Sequence, residues 1–189
     1  MAQSKLLFLR GREKTVSILD TNGQKVKVYD SNRFLFKKQR YRKDNLFSII
    51  DSTGKEKVYY HQDTLFGNSL TISEMRNYIK GEQDAGLHYS SPVSFGVGAA
   101  FGVGGGILAA GSAVIAPIIA AVPLAFIEMD IPKPNPDNIR IYSEEYRKNT
   151  PYLAGYLDKM HRKRVKNALF GGMLGVAITL PIVFLVTHK

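Results

Sequence analysis

Through residues 1–68 apolar positions alternate with polar ones in short runs; beyond them they gather into long blocks. Residues 17–23 read SILDTNG and residues 48–54 read SIIDSTG, and both lead into a Val-Tyr pair, in KVKVYD and KEKVYY. Each copy has β-branched and apolar residues, an Asp that can close an Asx turn, a Gly for positive φ, then renewed alternation. That pattern predicts a β-hairpin. KLLFLR and RFLFKK predict two further short strands. The expectation for 1–68 is a small antiparallel barrel or sandwich of about five to six strands built on two hairpin repeats.

Residues 69–90 contain LTISEMRNYIKGEQDAGLHY, where Thr71 or Ser73 can cap a helix with Glu74 in its first turn. Met75, Tyr78 and Ile79 recur at helical spacing, so this connector is read as an amphipathic helix packing on the β-unit.

The long blocks have another character. From Tyr89 to Ile127 there is no Asp, Glu, Lys or Arg, and Asn167 to Thr187 is likewise uncharged. GAAFGVGGGILAA belongs to a four-residue rhythm, Ser94, Gly98, Gly102, Gly106 and Ala110. On a helix these positions form one stripe almost free of side chains, and small residues at this spacing pack helices together in lipid. In water each such glycine costs about 1 kcal/mol of helix stability relative to alanine. Residues 91–128 are therefore expected to form an apolar helical hairpin, its returning limb carrying Pro117 and Pro123. A single tilted helix with a re-entrant tail is the second reading, and a dry core helix pair in a soluble protein the third. Residues 129–150 form a proline-rich loop. Residues 151–188 then start as a basic helix after Thr150 and run into an apolar one with Gly171 and Gly175 spaced four apart and Pro181 further on. The fold class expected is α+β, a β-barrel or sandwich followed by a glycine-rich region of two to three membrane spans.

Charge sharpens this picture. The net charge is +10, which favours phosphate on nucleic acid or on anionic lipid. Lys159, Arg162, Lys163, Arg164 and Lys166 crowd the entry to the last apolar segment. Positive-inside topology suffices to explain them; contact with lipid headgroups is the sharper reading. In RFLFKKQRYRK basic residues alternate with aromatics that could stack on bases. A strand with Phe34 and Phe36 in the core and cations guarding an edge accounts for the same run, and no RNP-type glycine pattern is present. Nucleic acid is the disfavoured partner.

Catalytic signatures are missing. GVGAAF has Phe101 where a dinucleotide fingerprint needs its third Gly, GVGGGI ends in Ile107, and no Lys follows to make a P-loop. There is no Cys, and the histidines, His61, His88, His161 and His188, include no pair at i, i+4. Glu82 and Asp84 lie two apart and cannot share a helix face as an acid/base pair. No cofactor, metal or catalytic residue is expected. The apolar run after Met1-Ala2-Gln3 is too short for a signal peptide, while an Ala-Gln start would suit a chain whose leader was removed.

Two stretches, LTISEMRNYIKGEQDA before a glycine-rich block and GYLDKMHRKRVKNALFGGMLG, resemble an uncharacterised envelope-protein family of Bacteroidetes-type bacteria. The resemblance covers most of residues 70–176, and the family has no established activity to carry over. Its members look like exported proteins with leaders, which would put the β-unit in the periplasm; the basic loop argues for the cytoplasm. The expected role is an integral membrane, non-enzymatic binding or assembly protein of the bacterial inner membrane or envelope. Its partners would be lipid and a second copy or another membrane protein. The alternatives are an oligomeric pore or transport subunit and a soluble basic nucleic-acid binder.

Overall fold

The computed structural model describes residues 3–31, 37–64, 67–109, 146 and 148–187. The chain divides into two compact units, 1–84 with 143–156, and 85–142 with 157–189. The division runs within two helices rather than at their ends, because the first part of each helix has its neighbours in one unit and the remainder in the other.

The first unit is built on six antiparallel strands: β1 Ser4–Phe8, β2 Glu13–Asp20, β3 Lys25–Tyr29, β4 Lys38–Arg42, β5 Leu46–Ile50 and β6 Glu56–Val58. Their order in the sheet is β4-β3-β2-β1-β5-β6. The two related sequence stretches are the turns of the β2–β3 and β5–β6 hairpins. In each, an Asp carboxylate accepts from the backbone two residues on, Asn22 N–H to Asp20 at 2.7 Å and Thr53 N–H to Asp51 at 2.8 Å. Gly23 and Gly54 follow with φ of 75° and 83°, values that a Cβ would strain.

The sheet stays open. Closure into a barrel would require β4 to pair with β6, and these are the two edges. The expected barrel or two-sheet sandwich is therefore corrected to a single sheet with both faces in use. Leu6, Phe8, Val16, Val26, Val28, Leu46 and Ile49 form the core on one face. The other face carries Leu7 and Phe47, covered by Tyr60, Met75 and Ile79. A bulge in β5 makes this possible. Leu7 pairs with Ser48 and Phe8 with Leu46, so Phe47 is the extra residue and is sent to the second face. Of the predicted RFLFKK strand, residues 33–36, with Phe34 and Phe36, lie outside the described residues; β4 is Lys38–Arg42.

Met75 and Ile79 belong to α1, Ile72–His88. Of the two candidate caps, Thr71 is the one used. Its backbone N–H donates to Glu74 Oε2 at 2.8 Å and its hydroxyl accepts from the Glu74 N–H at 3.3 Å, a reciprocal capping box. Arg76 ties the helix to β6 through Glu56 at 2.9 Å. Inside the sheet, Asp30 is 2% exposed and pairs with Lys14 at 2.5 Å. Burial pulls the Lys14 ammonium down, yet hydrogen bonds to Asp30 and Tyr41 outweigh it and raise its pKa.

The second unit contains α2, Pro92–Ala109, and the greater part of α3, Thr150–Thr187. By length and composition α3 is the one helix among the described residues long and apolar enough to cross a membrane; Pro92–Ile107 is a shorter apolar helix. Two to three spans are thus more than the described helices supply. The expected returning limb with Pro117 and Pro123, and the expected loop of 129–150 apart from residues 146 and 148–150, lie outside the described residues. α3 continues through Pro181.

The hairpin carboxylates set a pH dependence. Asp20 is held below the usual carboxylate range first by Lys27, and Asp51 first by the Thr53 hydroxyl and then by backbone N–H groups. Depressed folded-state values stabilise the fold fully above the unfolded pKa, and that contribution fades as pH falls through the folded value. Sheet circular dichroism should hold from neutral pH down to about 5 and weaken below about 4. Asp51→Asn, which keeps the turn acceptor but cannot ionise, should flatten that acid limb; an unchanged limb would refute the assignment.

Candidate helix-packing interface

Gly98 is buried against the backbone opposite it. A Cβ at Gly98 would overlap the carbonyl oxygen of Ala168, and one at Gly102 would overlap that of Gly172. One at Gly106 would sit 2.7 Å from Thr179 Cβ. From the other side, a Cβ at Gly171 would strike the Phe95 carbonyl, and one at Gly175 would lie 2.5 Å from the Ala99 carbonyl oxygen. Real Cβ atoms do not approach this closely, so the helices meet backbone to backbone and only glycine permits it.

The partners advance together, Gly98 with Ala168, Gly102 with Gly172, Gly106 with Thr179. The helices are therefore parallel. The predicted stripe thus has Gly98, Gly102 and Gly106 buried in the interface and Ser94 half-buried, while Ala110 lies outside the described residues. Gly171 and Gly175 are brought to the same seam. Ala168, Gly172 and Thr179 were not anticipated; the signal for them was the small-residue content of ALFGGMLGVAIT taken at both three- and four-residue spacing. The Thr179 hydroxyl, buried at 6% exposure, donates to the Gly175 carbonyl at 2.8 Å, so the seam holds no unpaired hydroxyl there.

Large side chains point the opposite way. Val93, Phe95, Val97, Phe101, Val103 and Ile107 on α2 are exposed, and Phe170, Met173, Ile178, Leu185 and Val186 on α3 are exposed by 52% or more. Ala168 at the seam is 1% exposed. The pair is small inside and large-apolar outside, the inverse of a water-soluble helix pair.

The basic cluster above the seam divides by role. Lys163 Nζ donates to the Ala85, Gly86 and Tyr89 carbonyls at 3.2, 2.6 and 2.8 Å, closing the C-terminal end of α1. Arg164 Nε donates to the Tyr89 hydroxyl, and its guanidinium lies 5.6 Å from that ring. Asn167 donates to Ser91 Oγ at 2.8 Å. Arg162 pairs with Asp158 at 3.2 Å, the Lys166 ammonium sits 5.6 Å from the Phe170 ring centre, and Lys159 Cε is placed near Gly86. Two of the five cations read from sequence as topology or headgroup residues are therefore bracing the α1–α2 junction.

A second glycine crossing lies in the first unit. A Cβ at Gly81 would overlap the Tyr152 carbonyl oxygen and one at Gly155 that of Tyr78, while Tyr152 donates to Asp84 Oδ2 at 2.8 Å. Sequence reasoning passed over Gly81 and Gly155, although a glycine in a helix interior calls for a packing reason. Among the described residues no group of three or more His, Asp or Glu could hold a metal ion.

No protein family, curated protein or solved structure matches the chain. The resemblance to envelope proteins rests on the quoted motifs alone.

Replacing Gly102 with Leu should force the helices apart and cost about 1–3 kcal/mol or more, read as a lower midpoint for thermal loss of helix in detergent micelles. Gly104→Leu, where a Cβ meets nothing within 4 Å, should leave the midpoint unchanged or raise it. Equal effects of the two variants would contradict the seam. Lys163→Met, by removing the ammonium from the Ala85, Gly86 and Tyr89 carbonyls, of which Ala85 keeps the Tyr89 N–H, should lower the same midpoint by the equivalent of about 1–3 kcal/mol, and a neutral result would remove its capping role.

Proposed function

We propose that the chain is an integral membrane assembly protein, in which the glycine-seamed helices anchor an open-sheet binding domain to a bilayer. The observation that carries this reading is the inverted burial of α2 and α3, with glycine, alanine and threonine inside and valine, phenylalanine, isoleucine and leucine outside. In water that arrangement forfeits both the hydrophobic gain of the large side chains and the helix propensity lost at each glycine. In lipid neither penalty applies in the same way, and close backbone packing is what holds helices together. α3 is long and apolar enough to cross a hydrocarbon core of about 30 Å, its uncharged part being about 20 residues long, while α2, 18 residues or about 27 Å of helix, is the shorter partner packed along it.

Binding and assembly, not catalysis, is the role assigned. A pore lined by the glycine faces is disfavoured because those faces are filled by each other within one chain. A base-stacking role for the KQRYRK run is disfavoured as well, since the Tyr41 ring turns inward and packs edge-on to Phe8 at 5.1 Å.

Parallel packing has a topological consequence. If both α2 and α3 cross the bilayer, the segment joining them must bring the chain back to the side where α2 began. Introduced cysteines report this cleanly because the chain has none of its own. With a membrane-impermeant maleimide, cysteines at Asn22 and Asn135 should label from one side of sealed vesicles and one at Lys189 from the other. The chain should resist alkaline extraction. Release by alkaline wash, or labelling of Asn22 and Lys189 from the same side, would overturn the reading.

A further inference from the structure

Pairing of β3 with β4 sets Lys25 opposite Arg42, Lys27 opposite Arg40 and Tyr29 opposite Lys38. Between these rungs Val26 and Val28 are fully buried, so the cationic rungs all face away from the sheet core. Five cations thus stand on one exposed two-strand face, with neighbours about 5 Å apart across the strands and about 7 Å along them. Like charges directly opposite destabilise a sheet, and here two successive rungs accept that cost.

Edge protection explains part of this and fails for the rest. β4 is an edge strand, and lysine or arginine there discourages strand addition. β3 is an interior strand, and edge protection places no demand on Lys25 or Lys27. Local neutralisation is also incomplete. Asp20 meets Lys27 at 2.9 Å and Asp44 meets Arg42 at 2.7 Å, while Lys25, Lys38 and Arg40 hold no ion pair among the described residues.

We propose that this cationic ladder on the outer face of β3–β4 docks on the anionic phospholipid headgroups of a membrane surface. This rests on the membrane reading above, which keeps the sheet domain within tether length of a bilayer and so at high effective concentration. An exposed face of closely spaced cations complements a surface of anionic headgroups. Single-stranded nucleic acid fits less well, because it is held by exposed aromatic platforms, and among the described residues the one aromatic on this face, Tyr29, is half-buried at its end.

The test uses the full chain in nanodiscs of neutral phosphatidylcholine, floated with vesicles of phosphatidylcholine alone or containing phosphatidylserine. Wild type should co-float with the anionic vesicles only, and lose this in high salt. Each cation near an anionic surface is worth about fivefold in partitioning, so Lys25→Gln/Lys38→Gln/Arg40→Gln together should lose roughly 100-fold. Lys5→Gln/Lys55→Gln/Lys57→Gln removes the same charge elsewhere on the sheet unit and should lose far less. Equal losses from the two triple variants, or wild-type binding indifferent to phosphatidylserine, overturns the proposal. So does a result in which the ladder variant loses binding to a fluorescent RNA oligonucleotide yet keeps its vesicle binding. Should alkaline wash release the chain, the membrane reading fails alone, and the same flotation on the free chain still decides the ladder.

Discussion

Contact between the α2 and α3 backbones, with no side chain interposed, is the constraint on which the second unit depends. It explains why glycines sit in helix interiors, where each weakens the helix by about 1 kcal/mol. It also explains why the large apolar residues face outward: with the seam occupied by main chain, there is no interior volume left for them. On the proposed membrane reading, lipid is the solvent that accommodates the exposed phenylalanine and leucine. The same device recurs on a smaller scale where Gly81 and Gly155 let α1 and the start of α3 touch.

The sheet unit follows ordinary aqueous rules. Each of its faces carries an apolar cluster, one of sheet residues around Leu6, Val26 and Val28 and the other around Leu7 and Phe47 beneath Tyr60, Met75 and Ile79. The β5 bulge supplies the extra inward residue that the second face needs. The buried Lys14–Asp30 pair is the exception within that core, tolerable because hydrogen bonds accompany the opposite charges.

Cations in this chain do three different jobs. Lys163 and Arg164 are structural, spent on the end of α1 and on Tyr89. Lys14 neutralises a buried carboxylate. The β3–β4 ladder is neither, and its residual charge is the feature most readily explained by something outside the chain. A net charge of +10 cannot distinguish these uses, because charge counts carry no geometry.

The sequence by itself determined the elements whose signals are local. Asp and Gly spacing set both hairpin turns, Thr71 or Ser73 with Glu74 marked the start of α1, and the run of small residues from Gly98 to Gly106 marked a face for close approach. Only the tertiary structure decided what met what. It showed that the stripe's partner lies about 70 residues on in the same chain, that the sheet remains open beneath a helix, and that Tyr41 turns inward while its basic neighbours turn out. The reason is physical: turns and caps are closed by atoms a few residues apart. Sheet closure, helix pairing and the fate of each charge depend on segments that approach one another only after folding.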